Sequence, residues 1–470
     1  MRAASAYAGA SLFTGQGRPS ADPALDAVRL KIDRLIAAID ERIARQLDAI
    51  RRHPRLRRLE ASWRGLHYLV SAVDKLDGVK VRVLSVSWYE LCRDLERAAE
   101  FDQSQLFQKV YEQEFGMPGG EPYGLLIGDY AISHRRTAEH PTDDVGALAA
   151  IAQVAAAAFA PFVAGAAPEL FGLESFADLA LPLDLRAIVS LPEYGRWRAL
   201  RASEDARFLS LVLPQALVRD AYADDGNRAE PFRGSWTRER PDEGDFLWMN
   251  AAYAFAATVA GAYGRSGWFT DLRGARRGET GGGLVEGLPA TSFATDAPGI
   301  AARAPLEVEI DPEQERALDE LGLIPLTRTY AAPRAAFYSN ASLQSPLRYD
   351  NAAARANARL AAMTQYILCV SRFAHFIKVL GRDRIGAFGS PEECQAMLEK
   401  WVMRYCTSDD EASPANLARY PLREAGIEVR ERPGRPGAYL CTAHLKPHFQ
   451  LDQIVSAFKL VTELAPVGTH

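Results

Sequence analysis

The central part of the sequence alternates short apolar segments with helical patterns, and this alternation constrains the fold more than any other feature. Strands are predicted at residues 79–86, 123–129, 208–214 and 268–273. Amphipathic or alanine-rich helices are predicted at residues 88–99, 103–115, 144–162 and 246–263, and a further helix–strand step at 319–326. Strands that alternate with helices are typical of an α/β body whose sheet is covered on its faces.

Two long helical patterns precede this body. Apolar residues recur every three or four positions from Val28 to Ile50, which predicts an amphipathic helix that ends before Pro54. A second helix over 56–70 places four apolar residues on one side, and the pattern favours core packing for Trp63: Leu59, Trp63, Leu66 and Val70. We expect the two helices to form a hairpin, preceded by a flexible arm over residues 1–25.

The carboxy-terminal part predicts long helices over 351–380 and 391–406, then a short helix, a hairpin and a last strand. Ser413 and Pro414 form a helix-start signal. Residues 427–432 and 439–445 alternate as the two strands of a hairpin, and 451–464 alternates again near the end of the chain. A terminal strand with an unpaired edge invites pairing with another chain.

Composition narrows the functional class. Apolar residues make up 48%, charged residues 24%, and the formal net charge is −5, which disfavours a disordered or polyanion-binding chain. A length of 470 residues fits two or three domains. The 5 cysteines form no C-x-x-C pair, and no apolar run resembles a membrane span or leader, so we expect a cytoplasmic protein with buried thiols.

The glycine-rich segment 278–287 is the strongest candidate for a phosphate site. A P-loop requires Lys and Ser or Thr after its last glycine, but Leu284 stands there. As a dinucleotide fingerprint the segment has Glu286 in place of the third glycine. A tight surface turn is therefore the simpler interpretation, and an α/β enzyme that uses this loop is an alternative.

Metal and carboxylate chemistry are weakly supported. Cys441 and His444 are three residues apart in a predicted strand, which puts them on opposite faces, and Pro447 disfavours a helix that would join His444 to His448. The acidic run 409–411 is explained by a helix start. We predict no catalytic residue, no cofactor and no metal site.

Five segments of the sequence, taken in order, form a pattern: LEASWRGLHYLV (59–70), the run 115–130, LWMNAAYAFA (247–256), GGGLVEGLP (281–289) and the run 407–425. Together they resemble one family, the large contractile-sheath subunit of type VI secretion systems (TssC/VipB). The similarity covers about residues 25–465.

The resemblance implies an α/β, phage-tail-sheath-like fold. It has a mixed sheet body with an N-terminal helical hairpin, and a C-terminal α+β sheath domain completed by strands from neighbouring chains. The implied division is an arm over 1–25, an N-terminal and central sheath region over 26–350, and a tube-facing domain over 351–470.

The implied function is structural. The chain would form a heterodimer with the small sheath subunit, and copies would polymerise helically around an inner tube of hexameric rings, whose ejection is driven by contraction. Further implied partners are the baseplate and a disassembly ATPase recruited through the small subunit; nucleic acid and membrane are not expected. A non-polymerising paralogue that binds a sheath or baseplate component is a second alternative.

Three interaction sets follow from the resemblance together with the predicted elements. The tube-facing set is Asp409, Asp410, Ser413, Asn416, Arg419 and Tyr420. The inter-protomer strand contains Val455, Ala457, Phe458, Leu460, Thr462 and Leu464. The small-subunit contact contains Ile39, Ile43, Trp63 and Leu66.

Overall fold

A computed structural model gives the fold of the chain. It describes residues 23–117, 119–137, 140–219, 246–275, 280–289, 291–292, 302–329, 333–347, 349–383, 390–409, 412–431, 439–448 and 458–464.

The helices account for the long periodic patterns of the sequence. They are α1 (Pro23–Arg51), α2 (Pro54–Val73), α3 (Trp88–Arg97), α4 (Gln105–Phe107), α5 (Asp144–Ala158), α6 (Leu185–Ser190), α7 (Gly195–Ala202), α8 (Ala251–Ser266), α9 (Pro312–Glu320), α10 (Ala352–Ala361), α11 (Thr364–Asp383), α12 (Pro391–Val402) and α13 (Pro414–Arg419). Helix α4 continues directly into a π-helical segment, Gln108–Gly116.

The strands form one large mixed sheet, one smaller sheet and two short ribbons. They are β1 (Leu126–Ile132), β2 (Phe162–Ala166), β3 (Leu209–Leu213), β4 (Ala216–Leu217), β5 (Trp248–Met249), β6 (Leu284–Val285), β7 (Thr291–Ser292), β8 (Ala302–Arg303), β9 (Leu323–Arg328), β10 (Ala335–Phe337), β11 (Leu422–Glu431), β12 (Tyr439–Pro447) and β13 (Phe458–Leu464). The large sheet has the order β1-β2-β3-β9-β10-β6, and the smaller one β11-β12-β13.

The large sheet is parallel from β1 through β9 and antiparallel beyond it. Successive side chains of a strand point to opposite faces, and both faces here are covered. Leu209, Leu211 and Leu213 of β3 lie in the core that contains α5. Val212 of the same strand lies in the core that contains α8. The predicted α/β class is thus confirmed.

The alanine-rich run predicted as one helix over 144–162 is in fact a helix and a strand. Helix α5 ends where Phe159 adopts a left-handed conformation with φ 51°. The chain then enters β2, which is buried along its whole length. Periodicity cannot separate a buried helix from a buried strand in a continuous apolar run, which is why the prediction missed this boundary.

Other predicted elements also differ. Residues 268–273 are not a strand, residues 79–86 belong to none of the described sheets, and Trp248 lies in β5 rather than in a helix. The helix predicted over 351–380 is two helices, α10 and α11. Between them the Ser342 amide donates to Ala362 O (2.8 Å) and the Thr364 amide donates to Asn340 O (2.9 Å), so the chain pairs here with residues 340–342 and leaves the helical path.

The smaller sheet encloses its own core with α11 and α12. Alternate residues of β11 and β12 are buried there, including Ile427, Val429 and Cys441. Trp268 stacks on Phe373 of α11 with ring centroids 4.2 Å apart. Aromatic residues thus supply much of this core, because each buries a large apolar surface.

The chain divides into two compact units, one of residues 1–58 and 221–246, the other of residues 59–220 and 247–470. The division predicted from sequence stays a prediction. In the first unit, α1 has the predicted amphipathic pattern but buries none of its residues. Packing of α1 and α2 as a hairpin also stays a prediction. Within the described residues, no helix is both long and apolar enough to cross a bilayer.

Candidate interaction surfaces

Helix α2 approaches α8 closely enough to require a glycine. A Cβ added at Gly65 would lie 2.4 Å from Cδ2 and 3.1 Å from Cγ of Tyr253. Tyr253 is 8% exposed, so its ring is confined within the core. The glycine of the segment WRG is therefore explained by packing between two helices rather than by a ligand.

An ion-pair network fixes the same part of α2. Arg219 Nε donates to Glu60 Oε1 (2.8 Å), and Arg64 Nε donates to the same oxygen (2.7 Å). Burial alone would raise the pKa of Glu60, but the hydrogen bonds from Arg219 and then Arg64 outweigh it, so the pKa lies below its usual value. Sequence inspection missed Arg219, because 159 residues separate it from Glu60.

The glycine-rich loop meets α2 through a tyrosine. Tyr68 Oη donates to Glu286 O at 2.6 Å. Burial, followed by the charge of Glu286, raises the pKa of Tyr68, so the phenol stays protonated as a donor. Segments 59–70, 247–256 and 281–289, which carry much of the family resemblance, thus converge through their own contacts.

Amides of the glycine-rich loop donate hydrogen bonds to other groups of the same chain. The Gly282 amide donates to Asp271 Oδ2 (3.0 Å), and the Gly283 amide donates to Gly274 O (2.7 Å). A Cβ at Gly283 would lie 2.0 Å from Phe337 O in β10. A phosphate cradle needs several amides directed at the ligand, and these two already have partners. Gly283 thus serves the approach of the loop to β10, and Gly282 its approach to the chain at Arg273 and Gly274.

Helix α2 has an exposed face that the core-packing interpretation did not anticipate. Trp63 is 65% exposed, Leu59 54% and Val70 44%. The prediction that Trp63 packs in the core was therefore wrong, because α2 turns Gly65 and Leu69 inward instead. Leu66 is partly buried against the α8 core. Of the two predicted contact residues on α2, only Trp63 is strongly exposed.

In the other unit, Ile39 and Ile43 lie on α1 and are 56% and 38% exposed. Seven further large apolar residues of this helix are exposed, and the helical period places all of them except Leu30 on the face of Ile39: Leu25, Val28, Leu30, Ile32, Leu35, Ile36 and Ile50. Monomeric proteins rarely expose so long an apolar stripe.

Helix α13 forms as the sequence predicts. Ser413 is its N-cap and accepts from the Asn416 amide at 3.3 Å, with Pro414 in the first turn. The helix buries Ala418, whose carbonyl oxygen accepts from Thr270 Oγ1 (3.4 Å). The predicted tube-facing residues that the structure describes are all exposed: Asp409, Ser413, Asn416, Arg419 and Tyr420. Asp410 lies outside the described residues.

The predicted inter-protomer strand is only partly described. Phe458, Leu460, Thr462 and Leu464 lie in β13, whereas Val455 and Ala457 lie outside the described residues. In the single chain β13 pairs antiparallel with β12, from Tyr439↔Leu464 to Leu445↔Phe458. It is one of the two outer strands of the smaller sheet, and β11 is the other.

Metal-ligating clusters are absent from the described part of the chain. Cys441 is buried and His444 exposed, as their spacing on one strand predicts. His448 Nε2 lies 2.8 Å from Thr407 O. Burial raises the pKa of Cys441 to about 12, which makes its thiol a poor ligand and nucleophile.

His375 of α11 is buried, with Nε2 3.0 Å from Ala158 O. Burial lowers its pKa to about 4, so this histidine is a neutral part of the core rather than a proton donor at neutral pH.

Comparison with protein families identifies two consecutive domains. Residues 33–344 match the EvpB/VC_A0108 tail sheath N-terminal domain, and residues 353–464 match the EvpB/VC_A0108 tail sheath gpW/gp25-like domain. The type VI secretion system sheath protein TssC1 of Pseudomonas aeruginosa is 37% identical over 442 residues, which cover 93% of this chain and 86% of that protein.

Two solved structures are distantly similar. One is from the anti-feeding prophage baseplate, with 10% identity, a TM-score of 0.33, and coverage of 61% of this chain and 56% of that chain. The other is a sheath tail protein of Desulfitobacterium hafniense, with 13% identity, a TM-score of 0.29, and coverage of 63% and 58%. Similarity at this level has no bearing on function.

Proposed function

Because this chain belongs to the EvpB/VC_A0108 tail sheath family of type VI secretion systems, we propose that it works as a polymerising large sheath subunit. In this proposal it pairs with a small sheath subunit, and the pairs assemble helically around an inner tube. Contraction of the assembly then ejects the tube. The role is mechanical and requires no catalytic group or cofactor.

The observation that carries the proposal is the uncovered apolar stripe of α1. The helix has 29 residues, none of which is buried. Covering a single Leu or Ile side chain stabilises by about 1.5–3 kcal/mol, so a partner helix on this stripe would gain a large free energy. We assign the small-subunit contact to Ile39 and Ile43 on α1, with a second contact at Trp63 and Leu66 on α2.

The tube contact is assigned to α13 and the residue run before it. The exposed set carries both charge signs and one aromatic residue, since it includes Asp409, Arg419 and Tyr420. Mixed polar surfaces with an aromatic anchor are common at protein interfaces. Asp410 belongs to the same proposed contact.

The contact between protomers is assigned to the last strand, residues 455–464. As an outer strand of its sheet, β13 presents an edge to which a neighbouring chain could add a strand. Each added hydrogen bond contributes about 0.5–1.5 kcal/mol, and repetition along a polymer would couple the subunits. Contacts with the baseplate, and with the disassembly ATPase through the small subunit, belong to the same proposal.

The enzyme alternative has little support. The amides of Gly282, Gly283 and Leu284 in the glycine loop are engaged within the chain, and the family is one of structural proteins. The non-polymerising paralogue differs from the main proposal in one outcome only, the absence of a polymer.

The test is co-expression with the small sheath subunit of the same secretion system, followed by affinity purification and negative-stain electron microscopy. Tubes or rings are expected from the natural chain. Ile39→Asp with Ile43→Asp should abolish the complex, because two buried charges on the stripe would be unpaired. Ala37→Asp is the matched control, since the helical period places it on the opposite face of α1.

A complex that forms without tubes would favour the non-polymerising paralogue. Survival of the complex in the Ile39→Asp, Ile43→Asp variant would overturn the α1 assignment. With the inner-tube protein co-expressed as well, sheaths that still hold the tube after Asp409→Lys and Asp410→Lys would mean that the tube contact lies elsewhere.

A further inference from the structure

The segment between α2 and α3 has the sequence of a strand but pairs with no strand among the described residues. From Val79 to Ser87 the chain shows no turn and no bend, and no residue there has a positive φ. β-Branched residues alternate at Val79, Val81 and Val83. Such a run has high strand propensity, yet it belongs to none of the described sheets.

Over seven residues the main chain of this segment has no partner in the part of the chain that the structure describes. Within the described structure, no backbone N–H or C=O from Val79 to Ser85 takes part in a hydrogen bond. The bonds begin at its end, where Tyr130 Oη donates to Val86 O (2.9 Å) and the Ser87 amide donates to Glu90 Oε2 (2.9 Å). A row of unpaired backbone groups is a template for strand pairing.

Side chains nevertheless hold the segment in place. Lys80 is bonded to Glu121, and Arg82 is bonded to Glu114 and, at 3.3 Å, to Glu121. Glu114 also accepts from the Glu121 amide at 3.0 Å. The segment is thus positioned in advance, so a partner strand would pay little of the usual entropy of ordering.

The exposed side chains indicate what would cover the segment. Val83 is 66% exposed, Leu84 53% and Val81 37%. Both cations of the segment already have carboxylate partners, so an acidic partner is not required. The fitting occupant is an extended strand with apolar side chains at alternate positions and no strong charge.

We propose that Val79–Ser85 accepts a strand from the small sheath subunit, which adds to this segment by backbone hydrogen bonds and covers Val81 and Val83. The identity of the partner rests on the proposed function. Pairing of this segment with the same segment of a second copy of the chain is less favourable than pairing with an uncharged strand. Parallel pairing in register, or antiparallel pairing centred on Val81 or Arg82, would place like charges opposite one another.

Hydrogen exchange on the full-length chain tests the proposal directly. In the free chain the amides of 79–85 should exchange fast, because they are exposed and unpaired. In the purified complex with the small subunit, alternate amides of this segment should be protected by about tenfold or more. A complex that forms while these amides stay unprotected overturns the inference and leaves the proposed function intact. Failure to form any complex overturns both.

A pair of proline variants identifies the paired edge. The amides of Val83 and Leu84 point to opposite edges of an extended chain, and proline removes the donor. One of Val83→Pro and Leu84→Pro should weaken small-subunit binding at least about tenfold, and the other should weaken it less. Val83→Thr keeps both the donor and β-branching and is the control.

Both proline variants should leave the melting temperature of the free chain unchanged, because no hydrogen bond is lost there. A lower melting temperature would mean that the segment is paired within the chain, and would overturn the proposal. Equal, unchanged affinities for both variants would overturn it as well. Protection of 79–85 in a concentrated sample of this chain alone would assign the strand to a second copy instead.

Discussion

Helices α1 and α8 show opposite relations between hydrophobicity and burial. Helix α8 consists largely of alanine, yet eleven of its 16 residues are buried. Helix α1 is rich in isoleucine and leucine, yet it buries none of its 29 residues. Nine of its large apolar side chains are exposed by 38–58%, and Leu47 is half-buried.

The difference shows that burial depends on what covers a helix, not only on its composition. The small side chains of α8 suit close packing against the sheet, and on its other side Gly65 of α2 leaves room for the ring of Tyr253. Helix α1 has the residues for a core but, within the described structure, nothing that buries them. Substitution of an apolar residue in α8 should therefore destabilise the free chain. The same kind of substitution in α1 should have a cost only in an assembly that covers this helix.

Truncation of the two helices should give the largest contrast. Phe255→Ala in α8 should lower the free energy of unfolding by about 3–5 kcal/mol, because Phe255 is fully buried against Phe337. Ile39→Ala in α1 should change it by less than about 0.5 kcal/mol, because the side chain is already in water. Urea unfolding of the isolated chain measures both. Half of the lower limit expected for Phe255→Ala is about 1.5 kcal/mol. A larger loss of stability than this for Ile39→Ala would contradict the comparison.

A carboxylate beside the α8 core should give a smaller, pH-dependent effect. Burial raises the pKa of Glu307 to about 7, and no described group bonds its Oε2. Below pH 4.5 both states are protonated; between about 4.5 and 7 only the unfolded state ionises, so stability falls as pH rises. The change in the free energy of unfolding caused by Glu307→Gln should therefore be more stabilising at pH 8 than at pH 5, by about 2 kcal/mol.

Denaturant unfolding at the two pH values measures this difference. Any pH-independent effect of the glutamine side chain on stability is the same at both values and cancels. Glu309→Gln is the matched control, because Glu309 is exposed and pairs with Arg328 at 3.2 Å. Its change should stay within about 1 kcal/mol at both values. An equal effect of Glu307→Gln at pH 5 and pH 8 would show that the carboxyl is hydrated.

Two glycines of helices α2 and α8 should give the smallest effects, with opposite signs. Gly65→Ala should destabilise by about 1–2 kcal/mol, because its methyl group would overlap the Tyr253 ring. Gly261→Ala should stabilise by about 0.5–1 kcal/mol, because its methyl group meets only the flexible end of Arg265, at 3.2 Å. Thermal melts of both variants decide the point. Two stabilised variants would mean that α2 and α8 are not tightly packed.

Local chemistry explains which elements could be predicted. The apolar period of α1 and the Ser413–Pro414 start of α13 are local signals that depend only on residues close in sequence, and both helices form. The boundary at Phe159 was missed because a buried helix and a buried strand share one apolar composition. Residues 79–86 were assigned to a strand on propensity alone, but a strand assignment also needs a partner.

The candidate surfaces were less predictable, because they depend on residues far apart in sequence. The period of α2 placed Trp63 with Leu66, yet only the position of Tyr253 decides that Gly65 faces inward and Trp63 outward. Likewise Glu60 is an ordinary helix carboxylate until Arg219 is brought beside it. The exposure of α13 was easier to predict. The helix is short and capped by Ser413, and its polar residues remain in solvent when Ala418 is buried.

The placement of the tryptophans makes the chain its own optical reporter. Trp63 is 65% exposed, whereas Trp197 and Trp268 are 3% and 4% exposed. Of these three, a collisional quencher such as acrylamide will therefore reach the indole of Trp63 and hardly reach Trp197 and Trp268. Occupation of the exposed face of α2 should shift the Trp63 emission to shorter wavelength. Because the chain has 7 tryptophans, the difference between the natural chain and Trp63→Phe isolates this signal, and docking at that helix can then be followed in real time without a label.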